Sequence, residues 1–499
     1  MADATSMQAA RETVAPLRLL ADQAFSRAAG APLIPGNDVR LLRNGAENYP
    51  AWLEAIRSAQ RTVHVETYIL HADKVGYEFA ELLEAKARAG VQVRVIYDWF
   101  GGRGAASFLF WRKLQRAGVQ VSRFNPPRLD DPIEFLRRDH RKLIVVDSCV
   151  GFVSGLCIGQ AWVGDPARGV DPWRDTGVRI EGPAVIDLEH AFTRMWNSLA
   201  PQVAIGPEPC PDALRPHVSN TSLRIVASEP NMSGLYRLDI LITALARRSI
   251  WLTDAYFLGT PSYLQSLRAA ALDGVDVRLL LPRTTDIPVV RALSRVGYRP
   301  LLEAGVRIFE WNGSMLHAKT AVVDGHWSRV GSTNLNLASW VTNYELDVVV
   351  EDAAFAAAMQ EMYLDDLEHA TEIVLSRGVK VRPRERRSSL DRPHGSARER
   401  AGRAATGVLA IGSTVGAAIA APRLLGHAEA PIMTAAAVVL LAVAAIIVLF
   451  PFYVSVAVAI CCAWGAVILL VKAFRLRSLP EKMRDLDHGS TSDPGHTAG

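Results

Sequence analysis

Two short stretches of the sequence carry the same three chemically capable residues at the same spacing. Residues 137–148 read RRDHRKLIVVDS and residues 314–325 read SMLHAKTAVVDG. Each stretch has a His, a Lys two positions later and an Asp five positions after that. Because residues two apart in a strand share a face, we expect each His–Lys pair to point the same way. The predicted catalytic set is His140, Lys142, Asp147, His317, Lys319 and Asp324, with each Asp interpreted as a turn or strand-end residue that supports the geometry.

Two His–Lys pairs brought together by a pseudo-twofold axis would form a poor metal site, because no cluster of Cys or Glu ligands accompanies them. They would form a good phosphodiester site. The lysines would neutralise the non-bridging oxygens, one imidazole would attack phosphorus, and the other would protonate the leaving oxygen. The chain has eight Lys against 47 Arg, yet both motif positions are Lys. This favours a compact ammonium beside a transferring phosphoryl group. We expect no metal or other cofactor; an inert scaffold is the alternative.

Other polar residues are expected to support these pairs. Asp175 and Glu345 occupy matching strands after the two motifs and are candidates to fix the histidine tautomers. Ser332 and Asn334 share a face after the second motif.

Two further sets of residues could line the site, but packing within the fold is the stronger interpretation of both. Tyr68, Tyr256, Glu66 and Asp254 lie at strand ends and are candidates to line the pocket. We hypothesise that an apolar wall for acyl chains is formed by Trp99, Phe100, Phe108, Phe110 and Trp111. For most of these residues, however, we expect packing in the core.

The elements that must position these residues occur twice. The predicted order is strand 61–70, helix 76–90 and strand 91–98, and then strand 249–258, helix 261–274 and strand 275–282. Strand–helix–strand units of this kind build sheets with helices on their faces. The sequence therefore predicts an α/β fold with two duplicated α-β-α domains that share one active site.

The C-terminal part of the sequence has a different character. No charged side chain occurs from Ala430 to Val471, roughly twice the length of about 20 residues that a spanning helix needs. Pro451 lies near the middle, so we predict a transmembrane hairpin at 432–450 and 453–471, with a buried soluble helix pair as the alternative. Residues 404–422 are a third span or an interfacial segment.

Basic residues flank this hairpin. Residues 377–403 are predicted to form a flexible basic linker that attracts anionic lipid, although a merely solvated linker is equally compatible with its charge. Basic residues also follow the hairpin, at 472–484. Two spans with basic flanks predict that both ends are cytoplasmic.

Composition limits the other possibilities. The formal net charge of +4 implies no strong attraction to nucleic acid. The five cysteines fit no zinc or disulfide framework, and their odd number favours a reducing compartment. The first 20 residues show no secretory signal.

The duplicated H-x-K-x4-D motif, with G-S-x-N after the second copy, resembles the phospholipase D superfamily. The stretches around it, such as LLRNGAENYPAWLEAIRSAQRTVHVETYIL and DHRKLIVVDSCVGFVSG, are similar to bacterial cardiolipin synthases over residues 35–375. One departure stands out: Cys157 occupies the first-half position where the family has an Asn that donates to phosphate. The resemblance therefore assigns phosphate binding to Asn334, Ser332 and, with a weaker contribution, Cys157.

The resemblance implies a two-step reaction without metal. A motif histidine attacks a phosphatidyl donor, and the other histidine activates an acceptor hydroxyl. With phosphatidylglycerol as donor and acceptor the product is cardiolipin, and with water it is phosphatidic acid. We assign His140 as nucleophile and His317 as acid by this analogy. The expected location is the bacterial inner membrane, with the catalytic domains on the cytoplasmic face.

These inferences predict a domain map. It has an N-terminal helical segment at 1–34, catalytic domains at 35–205 and 220–376, a linker at 377–403, a membrane region at 404–475 and a disordered tail at 476–499. The predicted activity is phosphatidyl transfer. A phospholipase D hydrolase, a nuclease of the same superfamily and a non-catalytic lipid-binding scaffold remain alternatives.

Overall fold

A computed structural model describes residues 21–127, 137–200, 206, 210, 220–375 and 463–464 of the 499-residue chain. The predicted linker, tail and nearly all of the membrane region lie outside these residues, as do residues 1–20; Ala463 and Trp464 are helical. Within the described part of the chain, no helix is long and apolar enough to cross a membrane.

The first half of the duplicated region alternates strands and helices as predicted. Its strands are β1 (Ile34–Arg43), β2 (Thr62–Thr67), β3 (Gln92–Asp98), β4 (Gln120–Phe124), β5 (Lys142–Val146), β6 (Val150–Ser154) and β7 (Thr176–Glu181). Its helices are α1 (Asn44–Ser58), α2 (Lys74–Arg88), α3 (Phe108–Arg116) and α4 (Val185–Leu199), with 3-10 turns at Gln160–Trp162 and Pro166–Arg168.

The second half repeats this order. Its strands are β8 (Thr221–Ser228), β9 (Ser249–Thr253), β10 (Asp276–Pro282), β11 (Arg307–Trp311), β12 (Thr320–Val323), β13 (Trp327–Gly331), β14 (Glu345–Glu351) and β15 (Ala370–Ile373). Its helices are α5 (Gly234–Leu245), α6 (Pro261–Leu272), α7 (Pro288–Val296), α8 (Tyr298–Glu303), α9 (Leu337–Val341) and α10 (Ala353–Glu368).

The two halves share one continuous sheet. The strand order is β15-β11-β10-β9-β12-β13-β14-β8-β1-β7-β6-β5-β2-β3-β4, so the order in one half mirrors the order in the other about the β8–β1 pair. This antiparallel pair joins the halves and shifts register between Ile34 and Asn37. The duplicated α/β architecture is confirmed, whereas the continuity of the sheet is a finding that the repeat did not predict.

Strand direction places the motif residues at one edge of this sheet. Strands β2, β3 and β4 run parallel, so their carboxyl ends meet at the same edge. Strand β5 is antiparallel to β2 and pairs Lys142, its first residue, with Thr67, the last residue of β2. In the second half β12 begins beside the carboxyl end of β9, where Thr320 pairs with Thr253. Both motifs therefore enter the sheet at the carboxyl ends of parallel strands.

An apolar core crosses the boundary between the halves. Val178 and Phe192 of the first half belong to the same buried cluster as Val348 and Met359 of the second half. Burial of this shared apolar surface favours the two halves folding as one unit.

The N-terminal segment packs on the second half rather than on the first. Residues 21–29 are helical, and Phe25 and Ala29 join the core cluster of the second half. Arg237 donates a hydrogen bond of 3.1 Å to the Ala28 carbonyl. Strand β1 begins at Ile34, so the segment predicted at 1–34 overlaps it by one residue.

The expectation that the cysteines form no disulfide is wrong. Cys149, in the turn between β5 and β6, is bonded to Cys210, which precedes the second half. Their Cα atoms lie 5.0 Å apart, within the range that a disulfide spans. Sequence spacing hid the pair because 61 residues separate the two cysteines.

Candidate active site

His140 lies two residues before Lys142, the first residue of β5, and the other half of the molecule holds it in place. Its backbone N–H donates to the Tyr344 carbonyl over 2.9 Å. Its Nδ1 lies 2.9 Å from Oε2 of Glu345, the first residue of β14. The Ser332 hydroxyl and the Asn343 amide donate to the same carboxylate over 2.6 and 3.1 Å.

His317 is held by the reciprocal arrangement. Its backbone N–H donates to the Arg174 carbonyl over 2.7 Å, and its Nδ1 lies 2.7 Å from Oδ2 of Asp175. The Trp162 indole donates to the same oxygen over 2.9 Å. Each histidine is therefore oriented by a carboxylate of the opposite half, an exchange that makes each motif incomplete without the other half.

These contacts define the histidine tautomers. A carboxylate only accepts hydrogen bonds, so Nδ1 of each ring carries the proton and Nε2 keeps its lone pair. Burial lowers the pKa of His140, and both motif lysines act in the same direction while Glu345 opposes them. Burial and then Lys319 lower the pKa of His317 to about 3, although Asp175 opposes this change. Both imidazoles are consequently neutral near pH 7.

The orienting carboxylates are ionised. Burial acts to raise the pKa of Glu345, but His140 and Lys142 outweigh it and the pKa is lowered. The same balance, with His317 and Lys319 as the opposing groups, lowers the pKa of Asp175.

The two lysines bring positive charge to the same place. Lys142 and Lys319 are 3% and 1% exposed, and each ammonium donates to the carbonyl of the histidine two residues earlier. Each lysine depresses the pKa of both histidines, so the four side chains lie within electrostatic reach of one another. This arrangement is suited to an anion on which further negative charge develops during a reaction.

The predicted phosphate-binding residues take different positions. Asn334 is 5% exposed, and its side-chain Oδ1 accepts no hydrogen bond within the described residues. Rotation of the amide by half a turn would place its NH2 group, the donor that a phosphate needs, at this unpartnered position. The buried Cys157 thiol lies in the field of both motif lysines. Ser332 differs from its predicted role: its hydroxyl donates to Glu345 and accepts from the Leu346 N–H.

Gly155 lies two residues before Cys157, just as Ser332 lies two residues before Asn334, so it is the first-half counterpart of Ser332. A side chain at this position is excluded for a steric reason. A Cβ atom at Gly155 would lie 2.1 Å from Oδ1 of Asp175. The shorter carboxylate of the first half therefore packs directly on the backbone and is held by Trp162 instead of a serine hydroxyl.

Asp147 and Asp324 lie at the opposite edge of the sheet. The Asp147 carboxylate accepts the backbone N–H groups of Gln60, Arg61 and Thr62 over 2.7–2.8 Å. Asp324 accepts those of residues 247, 248 and 249 over 2.7–2.9 Å. Both aspartates support the turn geometry and neither reaches the reacting groups.

Aromatic rings surround the histidines more closely than their strand positions indicated. Tyr68 lies 5.1 Å from His140, centroid to centroid, and Tyr256 lies 5.9 Å from His317. Trp162 and Trp173 each lie 5.6 Å from His317. The two tryptophans come from the irregular segment after β6, which carries no periodic signal, so the sequence did not reveal them.

Two buried acidic residues lie beside the site. Burial raises the pKa of Glu66 to about 7, opposed by Arg141, whose guanidinium lies 3.7 Å away. Asp254 accepts the backbone N–H groups of Tyr256 and Leu335 over 3.0 and 2.9 Å, and so positions the segment that carries Asn334.

Two arginines join the halves around the histidines. Arg141 donates to the carbonyls of Glu345, Ala191 and Ser228 over 3.3 Å each. Arg174 forms a bidentate pair with Asp366 of α10 at 2.8 Å. Nothing in the local pattern distinguished these two from the other arginines. Within the described residues, no group of three or more His, Cys, Asp or Glu side chains is arranged to hold a metal ion.

Comparison with known proteins agrees with this geometry. A family described as "Cardiolipin synthase, PLD-like domain" matches residues 52–196 and 241–367. The chain is 33% identical over 353 residues to a cardiolipin synthase of Halalkalibacterium halodurans, covering 70% of this chain and 69% of the relative. It is 34% identical over 349 residues to cardiolipin synthase A of Pseudomonas putida, covering 68% and 71%.

A solved structure shares the fold at low sequence identity. Phosphatidylserine synthase of Haemophilus influenzae superposes with a TM-score of 0.55 at 15% identity, covering 70% of this chain and 91% of that one. The family match, the two relatives and the paired motifs within one sheet lead to the same conclusion: the chain belongs to the cardiolipin synthase family of phospholipase D-like proteins.

Proposed function

We propose that the protein is a cardiolipin synthase, a phosphatidyltransferase that joins two phosphatidylglycerol molecules and releases glycerol. The observation that carries this proposal is the reciprocal pairing of His140 with Glu345 and of His317 with Asp175. It leaves Nε2 of one imidazole available to attack phosphorus and Nε2 of the other available to exchange a proton, beside two ammonium groups, as a two-step phosphoryl transfer through a covalent histidine requires.

In the first step, Nε2 of His140 attacks the phosphorus of phosphatidylglycerol. The bond from phosphorus to the head-group glycerol oxygen breaks, and His317, protonated once the anionic substrate offsets the lysines, gives its Nε2 proton to that oxygen. Glycerol leaves and a phosphatidyl group remains on His140. Lys142, Lys319 and Asn334 stabilise the charge on the non-bridging oxygens.

In the second step, neutral His317 takes the proton from a hydroxyl of the second phosphatidylglycerol. That oxygen attacks phosphorus, the N–P bond to His140 breaks, and cardiolipin forms while His317 regains the proton needed for the next cycle. Each ring keeps its proton on Nδ1 throughout and donates it in a hydrogen bond to Glu345 or Asp175, so these carboxylates hold both rings in the reactive tautomer.

Incubation of the purified protein with labelled phosphatidylglycerol tests the activity. Cardiolipin is the expected product. Phosphatidic acid alone would identify a phospholipase D hydrolase instead, and unchanged lipid would leave a lipid-binding scaffold. Cleavage of a nucleic acid in place of the lipid would identify a nuclease.

Histidine variants test the assigned roles. We expect His140→Ala and His317→Ala each to lower turnover by about 10²–10⁴-fold or more, with the circular dichroism spectrum unchanged. His326→Ala, at an exposed histidine in the turn after β12, is the matched control and should keep full turnover. A phosphatidyl adduct on residue 317 rather than 140, found by mass spectrometry after an alkaline quench, would reverse the two roles.

We further propose that the protein resides in the bacterial inner membrane through the hairpin predicted at 432–450 and 453–471. The basic flanks favour the cytoplasmic face for the catalytic unit, and the 377–403 linker is suited to anionic lipid. On that face Cys149 and Cys210 are expected to be reduced in living cells and to pair only after extraction, since the cytosol keeps thiols reduced. Cells quenched in acid, then denatured and treated with a thiol-reactive mass tag, should show both cysteines labelled, since denaturation exposes the buried Cys210. A pair protected from the tag would put the catalytic unit on the opposite face.

A further inference from the structure

Helix α3 begins with two apolar side chains that the fold does not bury. Phe108 and Leu109 are 73% and 72% exposed, more than the other large apolar side chains of the described residues. The rest of the helix supplies the core: Phe110, Trp111 and Leu114 are buried, and Trp111 stacks on Tyr97 with ring centroids 4.0 Å apart. Phe108 and Leu109 therefore add nothing to the packing of this helix.

These two side chains lie at the edge of the sheet that carries the active site. Strand β3 ends at Asp98, whose carboxylate accepts the backbone N–H of Asp139, next to the catalytic histidine. The loop 99–107 that leads to α3 packs against Tyr68, because a Cβ atom at Gly101 would lie 2.5 Å from the Tyr68 carbonyl oxygen. Tyr68 in turn contacts His140. The exposed pair is thus one loop away from the reacting groups.

The segment around the pair carries positive charge alone. Residues 99–116 contain Arg103, Arg112, Lys113 and Arg116 and no Asp or Glu. Arg112 lies over the Phe108 ring at 5.9 Å, and Arg103 lies over Trp99 at 5.7 Å. Within the described chain, Lys113 alone of these four cations has an acidic partner, Glu84, at 3.4 Å. Apolar side chains flanked by unpaired arginines match the layer where acyl chains meet anionic head groups.

We propose that Phe108 and Leu109, with Arg103 and Arg112, form a docking tip that inserts into the surface of a bilayer containing anionic phospholipid. Insertion would hold the mouth of the active site against the head groups, so that a phosphodiester reaches the motif lysines while its acyl chains stay in the membrane. The inference rests on the proposed function, because it assigns the tip to the surface that contains the substrate. A second protein copy bound here would cover the site, which makes the bilayer the better occupant.

Insertion is measured directly, without turnover, in the full chain carrying Cys461→Ser and Cys462→Ser. A fluorophore is attached at Phe108→Cys or, as the matched control, at Leu272→Cys. Leu272 is 69% exposed, and it ends α6 on the edge of the sheet away from the site. In vesicles of phosphatidylglycerol and phosphatidylcholine with brominated acyl chains, we expect quenching of the label at 108 and none at 272. An unquenched label at 108, or equal quenching at both positions, overturns the proposal.

Kinetic measurements on two forms of the substrate distinguish a role in membrane docking from a role in the chemical step. Phe108→Ser with Leu109→Ser should raise the apparent KM for phosphatidylglycerol in vesicles by about 10-fold or more, and leave turnover of a dispersed short-chain phosphatidylglycerol unchanged. Leu245→Ser with Leu272→Ser is the control and should change neither. An unchanged vesicle KM contradicts the docking tip. Wild-type protein that turns over neither lipid would refute the proposed function while the quenching result still decides the docking tip.

Discussion

Ser332 and Asn334 are two residues apart, and the structure gives them different contacts. The Ser332 hydroxyl donates to Glu345, whereas Asn334 Oδ1 has no partner among the described residues. Sequence pattern placed both on one face after the second motif, and the resemblance to the phospholipase D superfamily implied phosphate binding for both. It identified the residues, but the serine contact depends on where β14 lies beside β13, which the local pattern does not contain.

This difference predicts distinct kinetics for the two alanine variants. Ser332→Ala should lower kcat with little change in KM, because it loosens the carboxylate that orients His140 and removes no substrate contact. Asn334→Ala should lower kcat/KM with a raised KM, because it removes a donor to phosphate. Steady-state rates on labelled phosphatidylglycerol measure both effects. Equal increases in KM for the two variants would indicate that Ser332, like Asn334, contacts the phosphate.

Lys319 predicts an alkaline limit to activity. Burial lowers its pKa to about 8, with Asp175 opposing and Lys142 adding to the decrease. The residue is an ammonium below that pH and loses its proton above it, so kcat/KM should fall by about tenfold per pH unit above about pH 8. The limit in kcat should lie higher, since a bound phosphodiester stabilises the ammonium.

Lys319→Arg is the control for this limit, because a guanidinium keeps its proton throughout the range. Its residual activity should show no fall above about pH 8. If kcat/KM of the wild type stays constant up to pH 10, the Lys319 ammonium does not contribute to phosphate binding.

At the scale of elements, the spacing of each motif has a structural cause. Lys142 begins β5 at the edge of the sheet that carries the site, with His140 two residues before it, and Asp147 directly follows the last residue of β5 at the opposite edge. The number of residues between Lys and Asp is therefore set by the length of the strand. Sequence periodicity predicted this strand and the turn role of Asp147. It did not predict which histidine each carboxylate orients, because that exchange depends on how β1 and β8 join the two halves.

The strand-end role predicts an effect of Asp147 on stability rather than on catalysis. Its backbone is in the left-handed region, at φ 52°, and its carboxylate accepts three backbone N–H groups. Asp147→Ala removes these acceptors and should lower the free energy of unfolding by about 2–4 kcal/mol. Asp147→Asn should lose less, since asparagine tolerates this conformation and keeps one acceptor oxygen.

Denaturant unfolding followed by fluorescence measures the change, and phosphatidylglycerol turnover below the transition provides the comparison. We expect turnover of folded Asp147→Ala to stay close to wild type. A large loss of turnover without a loss of stability would place Asp147 in the chemistry.

At the scale of the whole molecule, the duplication could be predicted from the sequence because strand, helix and motif recur in the same order. The continuous sheet was not readable, because β1 and β8 are edge strands of their own halves and pair only in three dimensions. The disulfide was missed for the same reason: Cys149 and Cys210, 61 residues apart in sequence, become neighbours only in the folded protein.

The disulfide predicts that the stability of the purified protein depends on redox conditions. Closing a loop across 61 residues restricts the unfolded chain, so reduction should lower the free energy of unfolding by about 2–4 kcal/mol. Thermal unfolding of the full chain with and without a reducing agent measures the change as a shift in the transition. Cys149→Ser should unfold at the reduced position under both conditions, and Cys461→Ser, which leaves the pair intact, should respond to reductant as the wild type does. A shift of equal size in Cys149→Ser and in the wild type would trace the effect of reductant to something other than this bond.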